Sequence, residues 1–451
     1  MRELNYNKLT GDVVLQSHKD YKEHTLAWNR AIEKSPLVIV YCHNTVDVSN
    51  AIMWSKENSI PFKIRSGRHH YEGFSTGDGV LVIDVSKMNK IFLDKDKNIA
   101  RIEGGVRNRE LYEALNSNNY PFPGGGCPTV GAVGYTLGGG WGYSARYFGL
   151  GCDYLIEAEI VDGQGNIIIA NEKINSDLLW ALKGGGGGNF GVVTSMIFKL
   201  LDKIENGTLV SIEYKNTTKE EMISIFDMVQ KNLKKLDRRL NIKIAFYNSK
   251  IKGIGALVTG IFYGSKEEAE NVLAPFKNLS KEINFNLKYM SVFDINKKIQ
   301  DDHPDYEKYK STGRFIDREY NKDEIRTILD ILHEVAEGSE YTAFTLYGLG
   351  GAIKDKAKDE TAFYYRDAEF ILGMQSVWED SQYANENKKW IVDKFKIIKE
   401  MTIGSFIAFP IAELESYETE YYGENISRLR EIKKKYDPNN IFKFEQSIKI
   451  D

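Results

Sequence analysis

Two residues able to form covalent bonds to an electrophile sit in stretches suited to close backbone approach. His69 lies in RSGRHHYEGFS (65 to 75) and Cys127, 58 positions further on, in GGGCPTVGAVGYTLGGGWG (124 to 142). The second stretch holds nine glycines. Glycine removes side chains and lets the main chain come near a ligand, so a thiol among so many of them is badly placed as a packing residue. Imidazole and thiolate are good nucleophiles for attaching an electrophilic cofactor, and a flavin is the candidate. Either residue alone has an ordinary structural explanation: a hydrogen-bonded histidine, or a buried hydrophobic cysteine. Their joint occurrence in these contexts carries the reading.

The segments RSGRHHYEG, PGGGCPTVG followed by LGGGWG, LKGGGGGNFG, YYGEN and YDPNNIFKFEQS resemble, in that order, those of the berberine bridge enzyme-like flavoproteins, bacterial branch. That family has the vanillyl-alcohol oxidase (p-cresol methylhydroxylase, PCMH) FAD-binding fold. The resemblance covers residues 30 to 200 and 404 to 451, and the intervening segment more loosely. It implies bicovalent FAD, with His69 on the 8α-methyl group and Cys127 on ring carbon six (6-S-cysteinyl). The Ser-Gly-x-His pattern falls on Ser66, Gly67 and Arg68, which selects His69 over His70, and Arg68 stands where a glycine is usual. By the same resemblance Arg65, Ser66, Gly67, Arg68, His70, Val130, Gly131, Gly134, Gly138, Gly139, Gly187, Asn189, Val193, Tyr422, Asn425 and Asn440 surround the cofactor. Trp141 lines the substrate face.

The resemblance also frames the chemistry. Members take hydride from a substrate carbon and then reoxidise the flavin. Val130, three residues after the cysteine, is the oxygen gatekeeper position; a valine there resembles the oxidases, which give H2O2 from O2, whereas a bulkier residue would point to a dehydrogenase, the alternative reading. Tyr135 stands where many plant members carry histidine. Alcohol-oxidising members supply a tyrosine base from a YxNY strand, whereas this chain reads FIAF (Phe406 to Phe409). A phenyl ring accepts no proton, so a base has to come from elsewhere. Tyr347, Tyr365 and Glu369 are the candidates. Without a base, a neutral amine drives hydride loss from its own lone pair, which keeps amine or alkaloid oxidation beside oxidation of a sugar or other hydroxylated metabolite. A flavin-bearing binding protein whose catalysis has lapsed is the reading of another class.

Composition narrows the partners. Lys plus Arg number 60 and Asp plus Glu 64, a formal charge of -4, so nothing argues for nucleic acid. The basic run RLREIKKKYD reads as a solvated helix face. Three cysteines without a CxxC spacing argue against a disulfide framework and a zinc site, and no metal is expected. The start MRELNYNKLTGD has no apolar core of signal-peptide length and no stretch reaches membrane-spanning length. A soluble, cytoplasmic chain acting on a small molecule is the expectation.

The elements that would position these residues belong to an α+β protein. A βαβ-like unit runs from LVIVY (37 to 41) through a helix capped at Asn44 or Thr45 to a strand ending at Arg65, where the histidine loop begins. A helix with Leu111, Ala114 and Leu115 on one face precedes the cysteine loop. Residues 155 to 161 and 166 to 170 form a hairpin around DGQGN. The run GGGGG (184 to 188) with Gly191 matches GxGxxG formally. It follows a helix and precedes a strand, the reverse of the dinucleotide fingerprint, so close approach to an FAD diphosphate or ribose explains it better. From 204 to 403 strand-like runs (TLVSIEY, IKIAFYN, GALVTGIFYG, TAFTLYG, EFILGMQSVW) alternate with charged helices. The expected organisation is a two-part FAD-binding domain of the PCMH type (1–203), a substrate domain with an antiparallel sheet covered by helices (204–403), and a C-terminal segment (404–451) returning to the first.

Overall fold

A computed structural model describes residues 4–450. The first of its three sheets contains β1 (Asp12–Leu15), β2 (Val38–Tyr41), β3 (Phe62–Arg65) and β4 (Leu81–Asp84), in the order β1-β2-β4-β3. Strands β2 and β3 both run parallel to β4, which lies between them. Every residue of VIVY in β2 and LVID in β4 is buried, as expected of strands covered on both faces. Asn44 starts the helix Thr45–Asn58 by accepting from the N–H groups of Val46 and Asp47. The histidine loop leaves the end of β3.

The second sheet is antiparallel, with β5 (Ile91–Asp94), β6 (Ile99–Glu103), β7 (Leu155–Val161), β8 (Ile167–Asn171) and β9 (Val192–Lys199) in the order β5-β6-β9-β7-β8. Strands β7 and β8 form the expected hairpin. The helix Ser176–Leu182 precedes the glycine run and β9 follows it, also as read from the sequence.

The third sheet has eight antiparallel strands: β10 (Asn206–Tyr214), β11 (Leu240–Ser249), β12 (Gly253–Phe262), β13 (Ile283–Ser291), β14 (Lys308–Ile316), β15 (Ser339–Gly348), β16 (Phe370–Trp378) and β17 (Gly404–Ser405), ordered β13-β10-β12-β11-β15-β16-β14-β17. Ile242, Ile244, Phe344, Leu346, Leu372 and Met374 join one core with Phe226 and Ile325 from the covering helices. Side chains alternate along a strand, so the other face carries Lys243, Tyr347, Gly373 and Gln375; Lys243 pairs with Tyr347, and Gly373 with Gly313.

Two buried cations tie the parts together. The Arg146 guanidinium, just past the cysteine loop, donates to the carbonyls of Leu233, Leu236, Leu240 and Leu349 at 2.7 to 3.2 Å. Lys433 in the last helix, Ile426–Tyr436, donates to the carbonyls of Asn189 and Phe442 and pairs with Asp437.

Candidate active site

The histidine and cysteine loops meet main chain to main chain. A Cβ on Gly67 would lie 2.2 Å from the Gly131 nitrogen, and one on Gly131 would lie 2.8 Å from Ser66 Oγ. Both positions need glycine for this approach. Ser66 Oγ donates to the Gly104 carbonyl, and the helix Asn108–Asn116 braces the other loop through Asn108, whose N–H reaches the Val130 carbonyl and whose Nδ2 reaches the Cys127 carbonyl. Arg65 is spent on Asp84 at 2.7 Å, and Arg68, left-handed at φ 64°, donates to the Tyr41 hydroxyl.

His69 is held on two sides. Its ring stacks on Trp28 at 5.0 Å between centroids, and its Nε2 lies 2.7 Å from Thr129 Oγ1. Burial, with the charges of Arg107 and His303, pushes its pKa down to about 3, so the imidazole is neutral and its lone pair available. The Cys127 sulfur lies 3.8 Å from the same Thr129 hydroxyl. Burial pushes that thiol up, while hydrogen bonds from Thr129 and Val130 act in the opposite direction. A cavity of about 370 Å3 opens beside Thr129, lined among others by Arg109, Gln300 and His303.

The surroundings fit a flat, anionic cofactor. Among the described residues no protein acceptor meets the backbone N–H groups of Ser66 through His70, a run of donors of the kind that cradles phosphate oxygens. A Cβ on Gly134 would meet nothing within 4 Å, and one on Gly187 only Leu137 at 3.7 Å. His70 points elsewhere: its Nδ1 lies 3.3 Å and 3.4 Å from the N–H groups of Glu72 and Phe74, which accounts for His69 being the ring nearer the cysteine.

Across the cleft an aromatic belt runs from His69 through Trp28, Tyr309, Tyr71, Phe409, Tyr347 and Trp141 to Tyr143, each ring 4.9 to 5.8 Å from the next. Tyr143 abuts Gly126, beside Cys127, which closes the circuit. Trp141 donates to the Gly348 carbonyl and turns its edge to Tyr347. Gly313 and Gly373 flatten the sheet beneath: a Cβ on the first would lie 2.7 Å from Phe409, on the second 2.9 Å from Tyr347.

The belt contains charges that sequence reasoning missed. Glu307, leading into β14, accepts from Gln375 at 3.1 Å; burial pushes its pKa up to about 7, with Gln375 and Lys243 pulling the other way. Its charge adds to the effect of burial in raising the pKa of Tyr71, Cys127, Tyr309, Tyr341 and Tyr347. Lys243 is held protonated by Tyr143, against the cost of its burial. Among the described residues no carboxylate lies within ion-pair distance of it. The one signal for Lys243 was a lysine at an alternating position in IKIAFYN; Glu307, in DHPDYEKYK, offered none.

Of the three base candidates only Tyr347 faces this cleft. The Tyr365 hydroxyl donates to the Glu420 carbonyl at 2.7 Å while its ring stacks on Phe315, within the buried apolar cluster that Trp141 and Tyr143 also join. Glu369 is ion-paired to Lys354 at 2.6 Å and Lys234 at 3.4 Å. Phe406 is buried in that same cluster, and Phe409 joins the belt. Tyr422 donates to the Gly185 carbonyl, Asn189 accepts from the Ile448 N–H, and Asn425 donates to the Lys358 carbonyl, so these three hold the glycine run and its neighbours. Asn440 keeps a buried Oδ1 without a partner. Tyr135 donates to the Pro123 carbonyl. Gly138 and Gly139 pack near Ala408 and Phe363, and Val193 is buried in β9. Among the described residues no cluster of metal-ligating side chains occurs, and no helix is long and apolar enough to cross a membrane.

Residues 36–171 match the FAD binding domain family model and residues 405–449 the berberine and berberine-like model. The FAD-linked oxidoreductase YvdP of Bacillus subtilis is 36% identical over 445 residues, 98% of each chain. Among solved structures, BBE-like 1 of Physcomitrella patens superposes with a TM-score of 0.90 at 25% identity, over 98% of each chain. The glucooligosaccharide oxidase of Acremonium strictum, described with a 6-S-cysteinyl, 8α-N1-histidyl FAD, superposes with a TM-score of 0.86 at 22% identity, over 97% of each chain.

Proposed function

Since the chain belongs to the berberine bridge enzyme-like family of FAD-linked oxidoreductases, we propose that it is an oxidase that binds FAD through both His69 and Cys127 and oxidises a hydroxylated small molecule, a sugar or secondary metabolite. The observation that carries this reading is the convergence of the two nucleophiles, from loops joined by Gly67 and Gly131, on one threonine hydroxyl. The bicovalent flavin described for the Acremonium strictum enzyme supports it. We divide the chain accordingly into a cofactor part (1–203), a substrate part (204–403) and a returning segment (404–451).

Bound FAD would supply the ring that accepts hydride and passes electrons to O2, giving H2O2. Glu307, oriented by Gln375, accepts the proton of the substrate hydroxyl at a carboxylate oxygen and so replaces the phenol that FIAF lacks. Lys243 donates to the substrate oxygen from the other side. A hydroxyl suits this pair because it both donates and accepts, whereas an ammonium beside Lys243 would be repelled; this ranks amine oxidation second. The aromatic belt stacks on apolar faces of the substrate and keeps water out. With a base in the cleft, nothing favours the lapsed-protein reading.

Peptide mass mapping of acid-denatured protein tests the attachment. Flavin on both His69 and Cys127 supports the proposal; an unmodified chain from flavin-replete cells sinks it. Anaerobic bleaching with panels of alcohols and amines then tests the substrate class, and bleaching by amines alone would reverse the order above.

A further inference from the structure

Thr129 is the residue to which the two linkage sites are both attached, and its hydroxyl has one hydrogen to give. If it donated to His69 Nε2, the ring hydrogen would sit on Nδ1 and leave that atom without a lone pair. If it accepts from His69 Nε2–H instead, Nδ1 is bare, and the hydroxyl hydrogen is free to turn toward the Cys127 sulfur 3.8 Å away. The second arrangement makes both groups nucleophilic at once. Nδ1 has no protein partner among the described residues, and stacking on Trp28 fixes the ring plane in which its lone pair lies.

We propose that Thr129 is the positioning residue for covalent cofactor attachment: it accepts from His69 Nε2–H, thereby presenting Nδ1, and donates to Cys127 Sγ, thereby favouring the thiolate. The assignment rests on the bicovalent reading above. Its chemistry balances. At His69 the bare Nδ1 bonds to the flavin methyl carbon as that carbon loses a C–H, and the ring returns to neutrality by giving up the Nε2 proton; at Cys127 the sulfur bonds to the ring carbon as an S–H and a ring C–H are lost. Each step passes two electrons to the flavin ring and from there to O2, which leaves with two protons as H2O2. Thr129 moves none of these electrons; it decides which nitrogen and which sulfur state meet the ring. Its own placement comes from the braced loop, where Pro128 and Val130 on either side give their carbonyls to the N–H groups of Arg109 and Asn108.

The test compares wild type, Thr129→Val and Thr129→Ser, each purified from flavin-replete cells, by flavin occupancy at each residue from peptide mass mapping and by Tm. Valine keeps the shape and removes the hydroxyl; serine keeps the hydroxyl. The expected result is flavin occupancy lowered roughly tenfold or more at both residues in Thr129→Val, in line with removing a hydrogen bond to an ionising group, with near-wild-type occupancy in Thr129→Ser and similar Tm for all three. Full occupancy at both residues in Thr129→Val overturns the assignment while sparing the bicovalent reading. Loss at His69 alone overturns the donation to Cys127, and failure of serine to rescue reduces Thr129 to packing. A wild-type chain bearing neither bond overturns the bicovalent reading and this assignment with it.

Discussion

Around Gly67 and Gly131 the cleft is made of main chain, whereas around Lys243 and Glu307 it is made of side chains delivered by separate strands. The first region tolerates almost nothing: a single added Cβ would lie 2.2 Å from a backbone nitrogen. The second is held by pairwise contacts such as Glu307 to Gln375, each replaceable alone. On the proposed reading, cofactor attachment is fixed by loop geometry, while the group that handles the substrate can change within the same scaffold. In the proposed function the Glu307 carboxylate stands in for the missing phenol.

The sharpest way to break this comparison is to remove both nucleophiles. His69→Ala with Cys127→Ala should abolish acid-stable flavin altogether, whereas Glu307→Gln and Lys243→Met should keep full attachment; mass mapping reads both, and a sheet variant without covalent flavin would merge the two regions. Next in size is Glu307→Gln, expected to slow anaerobic flavin reduction by a productive alcohol about 100-fold, a usual contribution of a general base. The base acts ionised, so the wild-type rate should fall as pH drops through about 7, and the variant should lack that limb. An identical profile in the variant would place the base elsewhere. Lys243→Met removes a charge that lowers the Glu307 pKa, so the limb should move to higher pH, with a loss of about fivefold at neutrality if the shift is one unit. A downward shift would contradict the geometry. The smallest effects compare two glycines. Gly313→Ala forces a methyl against Phe409 and should cost about 1–3 kcal/mol in calorimetry. Gly134→Ala, in a helix with nothing within 4 Å, should leave Tm unchanged or raise it while lowering flavin content.

The same contrast explains what could be read from the chain. The linkage loops announce themselves because glycine, histidine and cysteine at fixed spacing are local properties. Strands such as IKIAFYN and EFILGMQSVW show their pattern too. Strands β13 and β14 do not. KYKSTGRFI looks like a polar surface segment, yet all but its first residue is buried, since Lys310 pairs with Glu72 and Glu413, and Arg314 with Glu420. Those partners lie far away in sequence, so no window of residues could have revealed them, and Glu307 at the head of that strand was lost with it. Tyr365 and Glu369 failed as base candidates for a related reason: residue type and strand position were right for chemistry, but the Glu420 carbonyl and Lys354 claim their polar atoms. In the first sheet, the βαβ-like reading of β2 and β3 placed the strands correctly and missed β4 coming between them, a topological fact that neither strand encodes.

The glycine run before β9 is completed by residues from the 404–451 segment: Tyr422 holds the Gly185 carbonyl, Lys433 the Asn189 carbonyl and Ile448 the Asn189 side chain. During synthesis the two nucleophiles therefore emerge from the ribosome more than two hundred residues ahead of the far wall of their pocket. If the flavin is covalent as proposed, chains cut short of Tyr422 lack that wall, and acid-stable yellow colour on a denaturing gel would mark chains that had already folded around it.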